Sequence, residues 1–386
     1  MTAAVSSARD LPEGVPFSDL GAMHAEVSDA LDDAWRRVTA DSEFVGGAHV
    51  ERFEQAWAAQ CHTRHAVGTA SGTDALQLTL EALSVGRGHE VIVPANTFVA
   101  TAEAVVRAGA RPRFVDVDPE TLLLTAETVE RAITPATRAV VVVHLFGNIG
   151  DMAALGDLAA GAGITLIEDA AQAHGATWRG RPAGSFGRAG CFSFYPGKNL
   201  GAFGDGGAVV TDDTDLAERI RSLGDHGRPR TSKQEHRLVG TTSRLDGLQA
   251  AVLSVKLPHL QRWTQARRRA VDDYRRLLSG SPVRLVPTPA DGLSGHHLNV
   301  ARVAHRDRVR SLLSGHGIET GIHYPIPCHR HKAYAAYCDG PLPVVERVAA
   351  EMLSLPLFPH IRHDQVETVC DALRRALTSG SARHAG

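Results

Sequence analysis

Short apolar runs of strand length alternate along this chain with stretches whose apolar residues recur at helical spacing. The runs predict strands over 66–69, 90–94, 113–116, 139–144, 163–167 and 207–211. Helical spacing appears over 23–37, 50–60, at Leu76, Leu80 and Leu83, over 97–108, around Ala126 and Ala153, and over 217–223. From Ser243 a further helix carries Leu245, Leu248, Val252 and Val255 on one face until Pro258 interrupts it. Repeated strand-helix alternation predicts an α/β fold with a mostly parallel sheet covered on both faces. From Ser281 the pattern changes to shorter elements. These are a strand over 298–303, a helix over 306–316 and a closing helix over 364–377 with an Asp364/Glu367 capping signature. The reading divides the chain into an N-terminal arm (1–16), a large domain (17–258), a small C-terminal domain (259–377) and a disordered tail (378–386).

Composition narrows the functional classes. A chain of 386 residues exceeds what one core usually serves, so two domains are expected. A hydrophobic fraction of 43% with 22% charged residues is that of a globular protein. The net charge of -2 supplies no field to recruit nucleic acid or an anionic membrane, which favours a small substrate. Five cysteines, Cys61, Cys191, Cys328, Cys338 and Cys370, form no CxxC pair and leave one over, as reduced cytoplasmic thiols would. No signal-peptide pattern opens the chain and no apolar run approaches membrane-spanning length, so a cytoplasmic protein is expected.

The densest chemistry lies between Glu168 and Gly207. The predicted strand over 163–167 runs into Glu168 and Asp169, the way a buried parallel strand delivers carboxylates at its C-terminal end. Lys198 follows Pro196-Gly197, beside Phe192, Phe194 and Tyr195, with no other charged residue between Arg188 and Asp205. Such a desolvated lysine can lose its proton and attack a carbonyl; taken alone it could equally be a turn residue. It is not a nucleotide P-loop lysine, because Asn199 follows it and Phe192 stands where the first glycine belongs. Upstream, Ser71-Gly72-Thr73 at a strand end suits a phosphate cup on a helix N-terminus, or an ordinary helix cap. A Schiff-base lysine, a carboxylate for a pyridine nitrogen and phosphate donors are the three needs of pyridoxal 5'-phosphate (PLP).

With these residues in place, the sequence resembles the DegT/StrS family of PLP-dependent sugar aminotransferases. The resemblance rests on Glu168-Asp169-Ala170-Ala171-Gln172-Ala173-His174-Gly175, Phe192-Ser193-Phe194 and Pro196-Gly197-Lys198-Asn199. Ser71-Gly72-Thr73, Ser243-Arg244-Leu245-Asp246 and His323-Tyr324-Pro325 support it, from about Phe17 to Leu377. It implies the type I PLP-transferase fold, with a seven-stranded sheet between helices and a smaller C-terminal α/β domain. It further implies that Lys198 holds PLP, that Asp169 meets the ring nitrogen, and that Gly72, Thr73 and Ser193 cradle the phosphate. By the same resemblance Phe98 stacks on the ring, although spacing alone would also suit a core phenylalanine. Gln172 contacts the ring hydroxyl, and His174 contributes packing or a contact. Thr242 stands where relatives place an asparagine that reaches the neighbouring subunit's cofactor, which implies a homodimer with its active site near the interface. Tyr324 and His329 become candidates for sugar recognition.

The run Tyr195 to Ala202 looks like members that aminate C3 of a nucleotide-linked 6-deoxy-keto-hexose. The expected partners are therefore a dTDP-3-keto-6-deoxyhexose and glutamate or glutamine. A C4 keto sugar, a keto-inositol and a non-catalytic sensor of PLP or sugar are the alternatives. His323, Cys328, His329 and His331 fit no common zinc spacing, so no metal is expected. The arginines between Arg262 and Arg276 alternate with Asp272, Asp273 and apolar residues, and read as a solvated helix face.

Overall fold

The computed structural model describes residues 14–232 and 234–378. Helices α1 (Leu20–Ala25), α2 (Ser28–Asp41) and α3 (Ala48–Gln60) lead into β1 (His65–Thr69) and α4 (Gly72–Ala82). Alternation continues through β2 (Glu90–Pro94), α5 (Val99–Arg107), β3 (Arg111–Val115), α6 (Ala126–Glu130), β4 (Thr137–Val143), α7 (Met152–Ala162) and β5 (Thr165–Asp169). A hairpin of β6 (Thr177–Trp178) and β7 (Arg181–Pro182) precedes β8 (Ala189–Ser193), β9 (Gly207–Thr211), α8 (Thr214–Gly224) and α9 (Gly247–Lys256). Seven strands form one sheet in the order β1-β9-β8-β5-β4-β2-β3, parallel except for β9, which runs against both neighbours.

Strand β4 shows why this sheet reads as unbroken apolar runs. Ala139, Val141 and Val143 enter one core with Leu78 and Val105, while Val140 and Val142 enter another with Trp57 and Leu155. Both faces are buried, so the period of two leaves no polar side to see. Every parallel strand ends at the same edge of the sheet, where loops are free to carry function.

The C-terminal part begins with α10 (Leu260–Leu277) and continues through β10 (Arg284–Leu285), β11 (Gly292–Leu293), β12 (Asn299–Arg302), α11 (Arg306–Gly315), α12 (Pro343–Glu351), β13 (Met352–Leu355) and α13 (His363–Thr378). Strands β10, β12 and β13 make an antiparallel sheet. Ala301 and Leu353 face a core of its own with Tyr274, Leu313 and Val369, whereas Val300 and Met352 join the first core of the large sheet. The two parts therefore share buried surface.

Four expectations need correction. The helix expected over 23–37 is two helices: Glu26 keeps helical angles, Val27 leaves them (φ -124°, ψ 17°), and the Glu26 carboxylate at the join is held by Arg262, His360 (2.8 Å) and the Trp263 indole N-H (3.0 Å). The arm expected to Pro16 is anchored at its end: Val15 is 3% exposed and pairs with Ile318, its N-H donating to the Gly317 carbonyl at 3.0 Å. Residues 1–13 and 379–386 lie outside the described residues, and Thr378 belongs to α13. Asp364 does not cap α13; it engages the Arg362 guanidinium at 2.9 and 2.8 Å, and Gln365 Oε1 accepts the Arg362 N-H at 3.0 Å. Finally, the arginine face of α10 is solvated only in part. Arg275 and Arg276 pair with Asp272 and Asp273 one turn back, but Arg267 is buried and Arg268 donates inward to the Ser294 and Gly175 carbonyls. Helix α10 packs on α13 and also on loops of the large sheet, so more than one of its rows is covered.

Candidate active site

The carboxyl ends of β1, β2, β4, β5 and β8 and the N-terminus of α4 open onto one cavity of about 650 Å³. At the end of β5, adjacent carboxylates point to opposite faces and are used differently. Glu168 is fully buried behind the sheet, accepting N-H groups from Gly184, Phe186 and Gly187 and a hydrogen bond with His144 Nε2 at 2.8 Å. It fixes the loop that precedes β8. Asp169 faces the cavity: Oδ2 accepts from the Thr101 hydroxyl at 2.7 Å and Oδ1 from the Ala171 N-H at 3.2 Å. Thr101 is held in turn by Thr97 at 2.8 Å.

Lys198 lies across the cavity wall in the turn that follows β8. Its N-H donates to the Tyr195 carbonyl at 2.8 Å, and neighbouring Asn199 ties the turn to the Gly295 carbonyl at 2.7 Å. Burial lowers the pKa of the Lys198 amine to about 8, against an opposing pull from Asp169. Relative to an ordinary lysine near 10.5, this gives on the order of 300 times more neutral amine at pH 7. Capture of added PLP by the cofactor-free protein should therefore quicken as pH rises and level off just above pH 8. Stopped-flow absorbance of that step checks it; a rate still climbing towards pH 10 would mean that the pocket does not desolvate the amine.

The phosphate cup is built by close contact. Ser71 caps α4 by accepting the Asp74 N-H at 3.1 Å, and the Gly72 and Thr73 N-H groups have no acceptor among the described residues. A Cβ on Gly72 would stand 2.7 Å from Ser193 Cβ, so only glycine lets the ends of α4 and β8 meet. Ser243 braces the cup from outside, donating to Asp74 at 2.9 Å and accepting the Ala70 N-H at 3.1 Å. Phe98, at the N-cap of α5, is 52% exposed inside the cavity, a large apolar face open to a flat ring. An amine, an acid, a cradle of free amides and a bare aromatic face on one cavity are the donor set that PLP requires.

The family model for the DegT/DnrJ/EryC1/StrS aminotransferases matches residues 26–374. The chain is 46% identical over 373 residues to dTDP-3-amino-3,4,6-trideoxy-alpha-D-glucose transaminase of Streptomyces venezuelae, covering 96% of this chain and 98% of that protein. The crystal structure of S. venezuelae DesV in complex with a ketimine intermediate superposes with a TM-score of 0.91, at 46% identity over 94% of this chain and 98% of that one. NtdA of Bacillus subtilis, with bound cofactor PMP, gives a TM-score of 0.89 at 29% identity, over 97% of this chain and 87% of that one. The chain belongs to the DegT/DnrJ/EryC1/StrS aminotransferase family.

As a PLP-dependent aminotransferase of this family, the protein gathers most of the residues singled out from sequence around one cavity: Gly72, Thr73, Phe98, Asp169, Gln172, Ser193, Lys198 and Tyr324. Gln172 is locked by two bonds, accepting the Phe146 N-H at 2.7 Å and donating to the Tyr324 hydroxyl at 3.1 Å. His174 is a packing residue. Its ring lies among Trp57, Phe192 and Phe194, and burial drops its pKa to about 3.

Two residues sit elsewhere. His329 is 2% exposed and lies outside the cavity wall, its Nε2 2.9 Å from Glu346 Oε1 and its ring beside Phe114. The short helical turn Cys328–Arg330 rotates it towards α12, which proximity to Tyr324 in sequence could not show. Thr242 is exposed and outside this chain's own cavity, with its hydroxyl 2.7 Å from His226 Nε2. No group of three or more His, Cys, Asp or Glu side chains suited to a metal occurs among the described residues. Nor is any helix among them long and apolar enough to cross a membrane.

His297, His323 and Arg267 are cavity residues to which the sequence reading assigned no site role. His297 and His323 line the cavity with rings kept neutral by burial and by the nearby Lys198 charge, His323 falling to about 4. His323 belonged to a recognised motif, but nothing marked His297. The third is Arg267, hidden in an arginine-rich helix whose pattern says solvent.

Proposed function

We propose that this aminotransferase moves an amino group from glutamate or glutamine to C3 of a dTDP-3-keto-6-deoxyhexose, in the biosynthesis of a natural-product or surface sugar. The observation that carries this reading is the likeness, along nearly the whole chain, to the S. venezuelae dTDP-3-amino-sugar transaminase, with Lys198 and Asp169 lining one cavity. The net exchange balances without a further reactant: amino acid and ketone become keto acid and amino sugar.

Bound PLP supplies an electron sink that lets nitrogen pass between carbon skeletons. The chain's own groups do the rest. The largely desolvated Lys198 amine would tether the cofactor and carry a proton to and from a substrate carbon, a role its depressed pKa suits at neutral pH. The Asp169 carboxylate, held by Thr101 and Ala171, would keep a proton at the nitrogen of a bound pyridine ring. The Gly72 and Thr73 amides and the Ser193 hydroxyl would hold the phosphate end. Tyr324, fixed by Gln172, presents its hydroxyl to the sugar.

The proposed assembly is a cytoplasmic homodimer. Free thiols at all five cysteines suit a reducing compartment. Exposed Phe44, Val45 and Val239 suit a covered surface, and Thr242 is exposed and lies outside this chain's own cavity. Incubating the PLP-loaded protein with either donor and a series of ketones, with mass analysis of products, tests the substrate. An amine at C3 is expected. Product only from a C4 ketone or a keto-inositol overturns the regiochemistry, and ligand binding without turnover points to a sensor.

A further inference from the structure

We propose that Arg267 anchors the α-carboxylate of the amino donor, an inference that rests on the transaminase reading above. Arg267 is 3% exposed and lines the same cavity as Lys198. Its guanidinium makes one hydrogen bond among the described residues, from Nη1 to the Leu357 carbonyl at 3.0 Å, and Nε is buried with no partner. A guanidinium carries five N-H donors, so most of this fork is unused. No carboxylate pairs with it among the described residues, although nearly every other arginine of α10 finds an acid or a carbonyl cap. Burying an unpaired charge is costly, and folds retain one mainly where a ligand completes it.

The surroundings select the ligand. Leu298, Leu355 and Leu357 wall the cavity beside Arg267, and the adjacent imidazole of His297 is kept neutral by burial and by the flanking charges of Lys198 and Arg267. Two cations, Lys198 and Arg267, thus act on one neutral ring within the same cavity. An α-amino acid bears its amine and carboxylate on a single carbon, so a carboxylate gripped by the Arg267 fork turns its amine towards the Lys198 wall. Planar two-point pairing with a carboxylate is what a guanidinium does best. The tie to Leu357 fixes the fork's direction before the donor arrives.

The test uses the PLP-loaded protein and α-methylglutamate, which lacks the α-hydrogen and so binds without turnover. For Arg267→Met its Kd, read from the cofactor absorbance, should rise about 10- to 100-fold, the loss expected for a charge-assisted hydrogen bond. Arg267→Lys should recover part of the affinity. Protein loaded directly with pyridoxamine phosphate should aminate the keto sugar with a KM within about 2-fold of wild type, because that half of the exchange has no donor carboxylate. Unchanged Kd in a variant of normal Tm overturns the proposal. An equal rise in KM for the sugar nucleotide also overturns it, because the fork then reads a diphosphate.

Should Arg267→Met not fold, wild type is compared on glutamate and its α-amide. A loss of about 10-fold or more with the α-amide supports the anchor, and equal binding refutes it. Wild type that converts no amino acid at all counts against the transaminase reading itself, whereas an active variant with normal donor binding removes only the role of Arg267.

Discussion

Replacing Lys198 by alanine is expected to leave the protein folded, free of covalently held PLP, and slower by about 10⁴-fold or more. One nitrogen serves both as the covalent tether and as the proton carrier, so its loss removes two contributions at once. The fold itself should not suffer. The amine's pKa is lower in the folded chain than in the unfolded one, because burial penalises the charged form. That penalty on stability is fully present below about pH 8 and fades as pH approaches the unfolded value of 10.5, so the alanine variant should be at least as stable as wild type at neutral pH. Borohydride treatment followed by mass analysis gives the decisive reading. An adduct that persists in the variant would mean that another amine holds the cofactor.

Asp169→Asn is expected to retain the fold and to bind PLP, yet to lose between about 10² and 10⁴ in turnover. This follows from converting the roughly 3–5 kcal/mol cost of breaking one side of a buried ion pair at about 1.4 kcal/mol per decade. The amide oxygen can still accept from Thr101, so that hydrogen bond need not be lost, although the Ala171 N-H then loses its acceptor. What it cannot do is hold a proton on a pyridine nitrogen. The expected signature is a cofactor that binds with normal stoichiometry but responds to donor far more slowly. Near-normal rates would mean that Asp169 does not face the ring nitrogen. Glu168→Gln is the instructive neighbour, because Glu168 binds only the protein and its effect should fall on Tm.

The site was legible to different degrees for physical reasons. Lys198, Asp169 and the Ser71-Gly72-Thr73 cup are local signals, each set by a strand ending next to a turn. Spacing alone also suited a turn lysine and an ordinary helix cap, and it was the family resemblance that gave them roles. His329 was misplaced because a short helical turn decides which way a side chain leaves a loop. Arg267 was read as solvated because α10 has the charge pattern of an exposed helix, yet two neighbours cover it. The break at Val27 was invisible because no glycine or proline marks it, and the contacts of neighbouring Glu26 with Arg262, Trp263 and His360 come from more than two hundred residues away.

By itself the sequence determined the order of strands and helices and the buried parallel sheet, since these depend on periodicity and on neighbours in the chain, while the pairing of an amine with an acid came from the family resemblance its motifs carry. Tertiary structure alone decided that Glu168 turns away while Asp169 turns in, that His297 and Arg267 join the cavity, and that His329 leaves it. Those outcomes depend on how distant elements pack, and packing is a property of surfaces that meet only after the chain has folded.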